Sequence, residues 1–211
     1  MKKIKKPLQN LALEVYEKKV IEPTEYDRID YRIFREKELI NKEDYKIIFD
    51  VCKFENSTII NNSLQRSEFL DCVFINCDLS NNSFSESTFL RCEFIDCKLT
   101  GSHFTECYID NVLIKGSMAD FLDVSNTKIN ILSIKDTSLK ESNWFENKIK
   151  GMEFINNNFS SSMFYETSLK GISMASCNIS NLNIDLSSLK GLQIASFQAE
   201  NFCNLLGIKV E

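Results

Sequence analysis

Residues 69–99 read FLDCVFINCDLSNNSFSESTFLRCEFIDCKL, with an apolar residue at every fifth position: Phe69, Phe74, Leu79, Phe84, Phe89, Phe94 and Leu99. Two places before most of them sits a small residue: Cys72, Cys77, Ser87, Cys92 and Cys97. A strand repeats every two residues and a helix every 3.6, so neither gives a strict period of five. A chain that turns a corner every five residues and buries one side chain per side does.

The lane continues without insertion or loss from Phe49 to Ala199, passing through Ile109, Ile129, Trp144, Phe164 and Ile184. At the 43% apolar background of this chain, an unbroken lane of that length has a chance on the order of one in 10^11. A second period of 20 is laid over the first. Lys150-Gly151, Lys170-Gly171 and Lys190-Gly191 recur at that interval, as do Cys52, Cys72 and Cys92. Four five-residue sides make one square coil, and successive coils stack at about 4.8 Å. Residues 49–200 then form a rod about 36 Å long.

The lane, with small residues two places before it and polar residues around it, resembles the pentapeptide-repeat family. The resemblance implies an all-β fold, a right-handed quadrilateral β-helix. The expected organisation is an N-terminal capping extension (1–48), the β-helix (49–200) and a short C-terminal helix and tail (201–211).

Residues 1–48 hold both prolines, Pro7 and Pro23. The spacing of Leu8, Leu11, Val15 and Val20 predicts a short helix over 8–20. Ile29, Phe34 and Leu39 share the five-residue register, but charged Asp27, Arg32 and Lys37 at the small positions argue against a regular coil there. Between 112 and 134 the small positions grow, with Val112, Leu122 and Leu132 replacing Ser or Cys. Leu113, Phe121 and Ile131 are apolar where outward residues are expected, so either the coil bulges or an external patch forms. At the far end, ENFCNLL (200–206) predicts one or two helical turns closed by Gly207.

No apolar run reaches membrane-spanning length, and Glu14 and Lys18 break any signal-type core behind the basic start. The expectation is a cytoplasmic protein without membrane contact. Seven of the eight cysteines (Cys52, Cys72, Cys77, Cys92, Cys97, Cys107, Cys177) lie two before the lane, so they are expected as reduced interior fillers. The C-x4-C-x14-C-x4-C spacing from Cys72 to Cys97 matches zinc ligand sets only loosely. His103, the single histidine, is expected to face outward. No Gly-rich phosphate loop, catalytic triad or metal cluster is present in the sequence, so neither an enzyme nor a cofactor is expected.

Folding the sequence on 20 sorts its charges by side. One side carries Glu86, Glu106, Glu146 and Glu166, flanked by Asp123 and Asp185. Another carries Lys128, Lys148, Lys150, Lys170 and Lys190. Stacked like charges cost a few tenths of a kcal/mol or more per adjacent pair, so the glutamates have no folding reason. They read either as a solvated face or as a recognition surface. Residues 49–200 carry a net charge of −7, against roughly twenty charges on duplex DNA of that length. The rod as a whole is a poor DNA mimic; its acidic side is a better one. The same balance argues against direct nucleic-acid binding.

LKESNWFENKIKGMEF (139–154) and FQAENFCNLLGIKVE (197–211) are similar to the corresponding parts of Qnr-type proteins. Those are gyrase-protecting pentapeptide-repeat proteins, related in fold to the MfpA group. The resemblance implies binding to DNA gyrase or topoisomerase IV through Glu86, Glu106, Asp123, Glu146, Glu166 and Asp185. It also implies a homodimer joined through Phe202, Leu205, Leu206, Ile208 and Val210. Two features depart from that group: the 48-residue N-terminal addition, and an unbroken lane that leaves no room for the projecting loops many Qnr proteins use in protection against quinolones. The alternative is a non-enzymatic interaction scaffold for an unrelated partner, docking at the patch around Leu113, Phe121 and Ile131.

Overall fold

The computed structural model describes residues 4–8, 12–41 and 46–203. It is a parallel β-solenoid of about eight turns. On the first side Phe49, Phe69, Phe89, Ile109, Ile129 and Ile149 follow one another in parallel register. On the second side the column is Phe54, Phe74, Phe94, Ile114, Ile134 and Phe154. The third side, of Ile59, Leu79 and Leu99, is held by isolated bridges such as Thr58 to Asp78. The fourth runs Val124, Trp144, Phe164, Ile184.

Stacking identical rings 20 residues apart lets the columns pack as parallel plates. Phe54, Phe74 and Phe94 stack at centroid distances of 4.7 and 4.8 Å with interplanar angles of 6° and 3°. Trp144 is fully buried. It lies 5.5 Å from the Phe164 ring at 5°, and its indole N–H donates to Ser142 Oγ at 3.0 Å.

Each corner is turned by the residue two past the lane, which takes positive φ. From 51 to 171 this holds at every fifth residue except Ile131 and Gly151. The left-handed region costs an L-residue about 1–2 kcal/mol, least for Asn and Asp. Asn56, Asn61, Asn76, Asn81, Asp96, Asp136 and Asn156 accordingly sit there.

Turning the corner breaks the backbone ladder, and the small residue two before the lane repairs it. Ser87 Oγ donates to Leu64 O at 2.8 Å and accepts from Ser67 N at 3.0 Å. Thr127 accepts from Cys107 N at 3.1 Å, and Asn147 Oδ1 from Thr127 N at 2.9 Å. The cysteines take the same place: Cys92 Sγ donates to Phe69 O at 3.1 Å. All eight are free thiols, and the seven beside the lane are buried.

The start of the chain differs from its reading. No helix forms over the described part of 8–20; Glu14–Val15 and Val20–Ile21 are strands. They pair with Arg32–Ile33 and Glu38–Leu39 at an offset of 18 rather than 20. Ile29 and Phe34 stack under Phe49 and Phe54, so the ladder runs back well before residue 49. The charged residues do not prevent this at an end coil, where Arg32 reaches Glu14. Residues 4–8 then run along the rod: Leu8 N donates to Asp71 Oδ1 at 3.1 Å and Lys5 N to Asn111 Oδ1 at 2.9 Å. Asp71 is itself clamped by Arg91, whose Nε donates at 2.7 Å.

At the other end the lane stops at Ile194. A 3-10 helix spans Ser196–Phe202, four residues earlier than the sequence reading, and Ala199 is exposed. Gln198 closes the coil end: its Nε2 donates to Cys177 O at 2.7 Å while its Oε1 accepts from Ala195 N at 2.8 Å.

Removing the Ser87 hydroxyl strands the buried Ser67 amide and Leu64 carbonyl. Ser87→Ala is therefore expected to cost about 1–3 kcal/mol in denaturant unfolding. Ser87→Cys, which keeps a donor, is expected to cost less.

Candidate partner-binding surface

Glu86, Glu106, Glu146 and Glu166 are exposed and fall in one column, at the corner between the fourth and first sides. Their φ values are 60°, 57°, 52° and 49°. Asn126 completes the run with a φ of 54°. Neighbours in the column are about 4.8 Å apart along the axis. Asn shows what the backbone prefers at this position; glutamate there carries both a conformational and a like-charge cost.

Asp123 and Asp185 do not belong to that edge as free carboxylates. Asp123 is half-buried one side of the corner; it accepts from Asn143 Nδ2 at 3.1 Å and faces His103 Nδ1 at 3.5 Å. His103 is exposed. Asp185 caps the helix Leu186–Leu189, accepting from Ser187 N at 2.9 Å and Ser188 N at 3.3 Å. It also receives the Glu166 amide at 3.1 Å. Burial pulls its carboxyl upward, but the bonds from Ser187, Ser188 and the Glu166 amide outweigh this and hold its pKa at about 2.

The apolar patch read from sequence is not one patch. Leu113 and Ile131 lie near each other on the second side and its corner with the first. Phe121, 54% exposed, turns a different corner, two past Ala119 on the third side. Phe202, assigned to a dimer contact, is buried in its own chain's core. Leu205, Leu206, Ile208 and Val210 lie outside the described residues.

Lys128, Lys148, Lys150, Lys170 and Lys190 are exposed on the first side, and none of them forms an ion pair among the described residues. Burial pushes the Cys107 thiol up to about 12 and, with stacking against Cys52 and Cys92, raises Cys72 as well. Among the described residues no group of three or more His, Cys, Asp or Glu side chains is placed to hold a metal ion. No described helix is long and apolar enough to cross a membrane.

Residues 87–158 match the family model for the pentapeptide repeat region. Over that stretch the coil carries pentapeptide repeats. The chain is similar to full-length QnrB1, a plasmid-mediated fluoroquinolone resistance protein, at 16% identity over 90% of this chain and 100% of that one, with a TM-score of 0.46. It is similar to a trypsin-treated QnrB1 variant at 18% identity over 88% and 98%, TM-score 0.46. It is also similar to HetL from the cyanobacterium Nostoc sp. strain PCC 7120, involved in heterocyst differentiation regulation. There the identity is 9% over 81% and 90%, with a TM-score of 0.48. No curated protein matches in sequence.

Asp185→Ala is expected to cost about 1 kcal/mol at neutral pH. A carboxyl held at about 2 in the folded state stabilises fully above its unfolded value near 3.9, and loses that contribution as pH falls toward 2. The stability gap between wild type and Asp185→Ala should therefore shrink between about pH 5 and pH 2 in denaturant titrations.

Proposed function

We propose that this rod is a partner-binding protein whose acidic edge occupies the DNA-binding groove of a type II topoisomerase, DNA gyrase or topoisomerase IV. The observation that carries the reading is the column of Glu86, Glu106, Glu146 and Glu166. Folding favours Asn or Gly at a left-handed corner and disfavours stacked like charges. Carboxylates kept there against both preferences mark a surface selected for something other than stability.

Four of five successive coils offer a carboxylate at the edge, about 4.8 Å apart within each pair and about twice that across Asn126, where a duplex strand offers one phosphate per 3.4 Å. A basic saddle built for phosphate would meet a line of anions on a rigid rod. Association between such surfaces is steered electrostatically and weakens with salt. The likeness of residues 139–154 and 197–211 to Qnr-type proteins supports the choice of topoisomerase over other DNA-binding enzymes. Chemistry is done by the partner; the rod contributes position and charge. Two chains joined end to end through the C-terminal segment would lengthen the acidic line.

The test is a gyrase supercoiling assay with added protein over a range of salt, with and without a quinolone. Wild type is expected to inhibit at low salt and progressively less as salt rises. Glu106→Lys/Glu146→Lys should raise the half-inhibitory concentration about tenfold or more while remaining folded. No effect of wild type at any salt, on supercoiling or on drug action, would overturn the reading. Glu106→Asn/Glu146→Asn is expected to raise stability by roughly 0.5–1 kcal/mol while weakening the same inhibition.

A further inference from the structure

Between 51 and 171 the left-handed corner fails at two residues, Ile131 and Gly151, and they are stacked neighbours between the first and second sides. The failure has a visible cause in the pairing. Strands Tyr108–Lys115 and Lys128–Lys135 run through the corner as continuous eight-residue strands. Their register slips there: Ile109 faces Ile129, but Asp110 faces Ile131. Bulges of this kind re-aim side chains and gather near binding sites.

The slip opens the wall of the rod. Ile149 is the one lane residue from Phe49 to Ile184 that is not buried. The corner ladder bond also breaks: Asp71 and Arg91 donate their amides to Leu90 O and Asp110 O at 2.9 Å, but the matching bond from Gly151 N to Lys170 O is not formed. A Cβ at Gly191 would meet the Lys170 stem at 2.9 Å, whereas over Gly171 nothing lies within 4 Å.

The result is a groove of about 490 Å³ walled by Ile131, Ile149, Met152 and Ile172, with Lys150 and Lys170 at its rim. A second hollow of about 270 Å³ adds Tyr108, Lys128 and Lys148, and shares Asn130, Ile149 and Lys150 with the first. Among the described residues no carboxylate lines either one. An apolar floor, with ammonium groups and a backbone amide that have no partner among the described residues, makes a site of the size and polarity that small ligands use. It spans about three coils, roughly 10 Å, which is short for a polymer.

We propose that this groove binds a small amphipathic anion, an organic carboxylate or phosphate monoester with an apolar body. The body lies on Ile131, Ile149, Met152 and Ile172; the head group takes Lys150, Lys170 and the Gly151 amide. This site is independent of the acidic edge, which turns a different corner.

The probe is 8-anilinonaphthalene-1-sulfonate, titrated by fluorescence into the full-length native protein. One saturable site is expected, with Kd raised about tenfold or more in Lys150→Gln/Lys170→Gln. Lys115→Gln/Lys140→Gln, on the second and third sides, is the control and should bind as wild type. Decanoate and 1-naphthyl phosphate are then added as competitors; displacement by either supports the site and identifies the head group it prefers. Absence of saturable binding, equal binding by the Lys150→Gln/Lys170→Gln variant, or failure of both competitors would overturn the proposal. Circular dichroism of each variant confirms that the coil is intact, so loss of binding reports the site and not the fold.

Discussion

The structure rests on a constraint at the corner: one residue in five must enter left-handed backbone, and each such turn interrupts the parallel ladder. The interior responds with a small polar or thiol side chain that spans the gap between coils. Ser87, Thr127 and Asn147 each take an amide from the coil before and give a hydrogen to a carbonyl 23 residues back. Burial of one large apolar side chain per side then offsets the cost of the corners. Neither device works alone: without the polar bridge a buried amide is stranded, and without the lane nothing compensates the strain.

Much of this was legible because the rod repeats itself locally. The five-residue lane, its 20-residue superperiod and the burial of the cysteines follow from the pattern in Phe69 to Leu99, since every coil solves the same packing problem. The acidic column could also be read, because folding on 20 gives the side and the stacking. Asn and Asp at two past the lane were a signal for the left-handed corner that periodicity in apolar residues alone does not reveal.

What escaped the pattern lies where neighbours are not copies of one another. The strands at 14–15 and 20–21 are held by an 18-residue offset set by an end coil, not by helical spacing. The segment 4–8 is placed by single bonds to Asp71 and Asn111, residues far away in sequence. Asp185 looks in the sequence like one more acid of the charged side, and only the serines that follow it mark it as a helix cap. Phe202 has the composition of an interface residue, yet a coil end exposes enough apolar surface to claim it. The slip at Ile131 leaves the lane count intact, so the sequence shows no insertion where the wall opens. Regularity specifies the rod, and its departures locate the candidates for function: glutamates at corners that favour asparagine, and a corner that does not turn.

The columns of side chains are sealed inside a wound coil, and thiol accessibility reads that directly. A buried thiol whose pKa is pushed to about 12, as at Cys107, presents almost no thiolate near pH 8 and reacts slowly. Titration of the native protein with a thiol reagent near pH 8 should show one fast-reacting cysteine, Cys203, and all eight after denaturation. Rapid labelling of Cys72, Cys92 or Cys107 in the folded protein would contradict the coil.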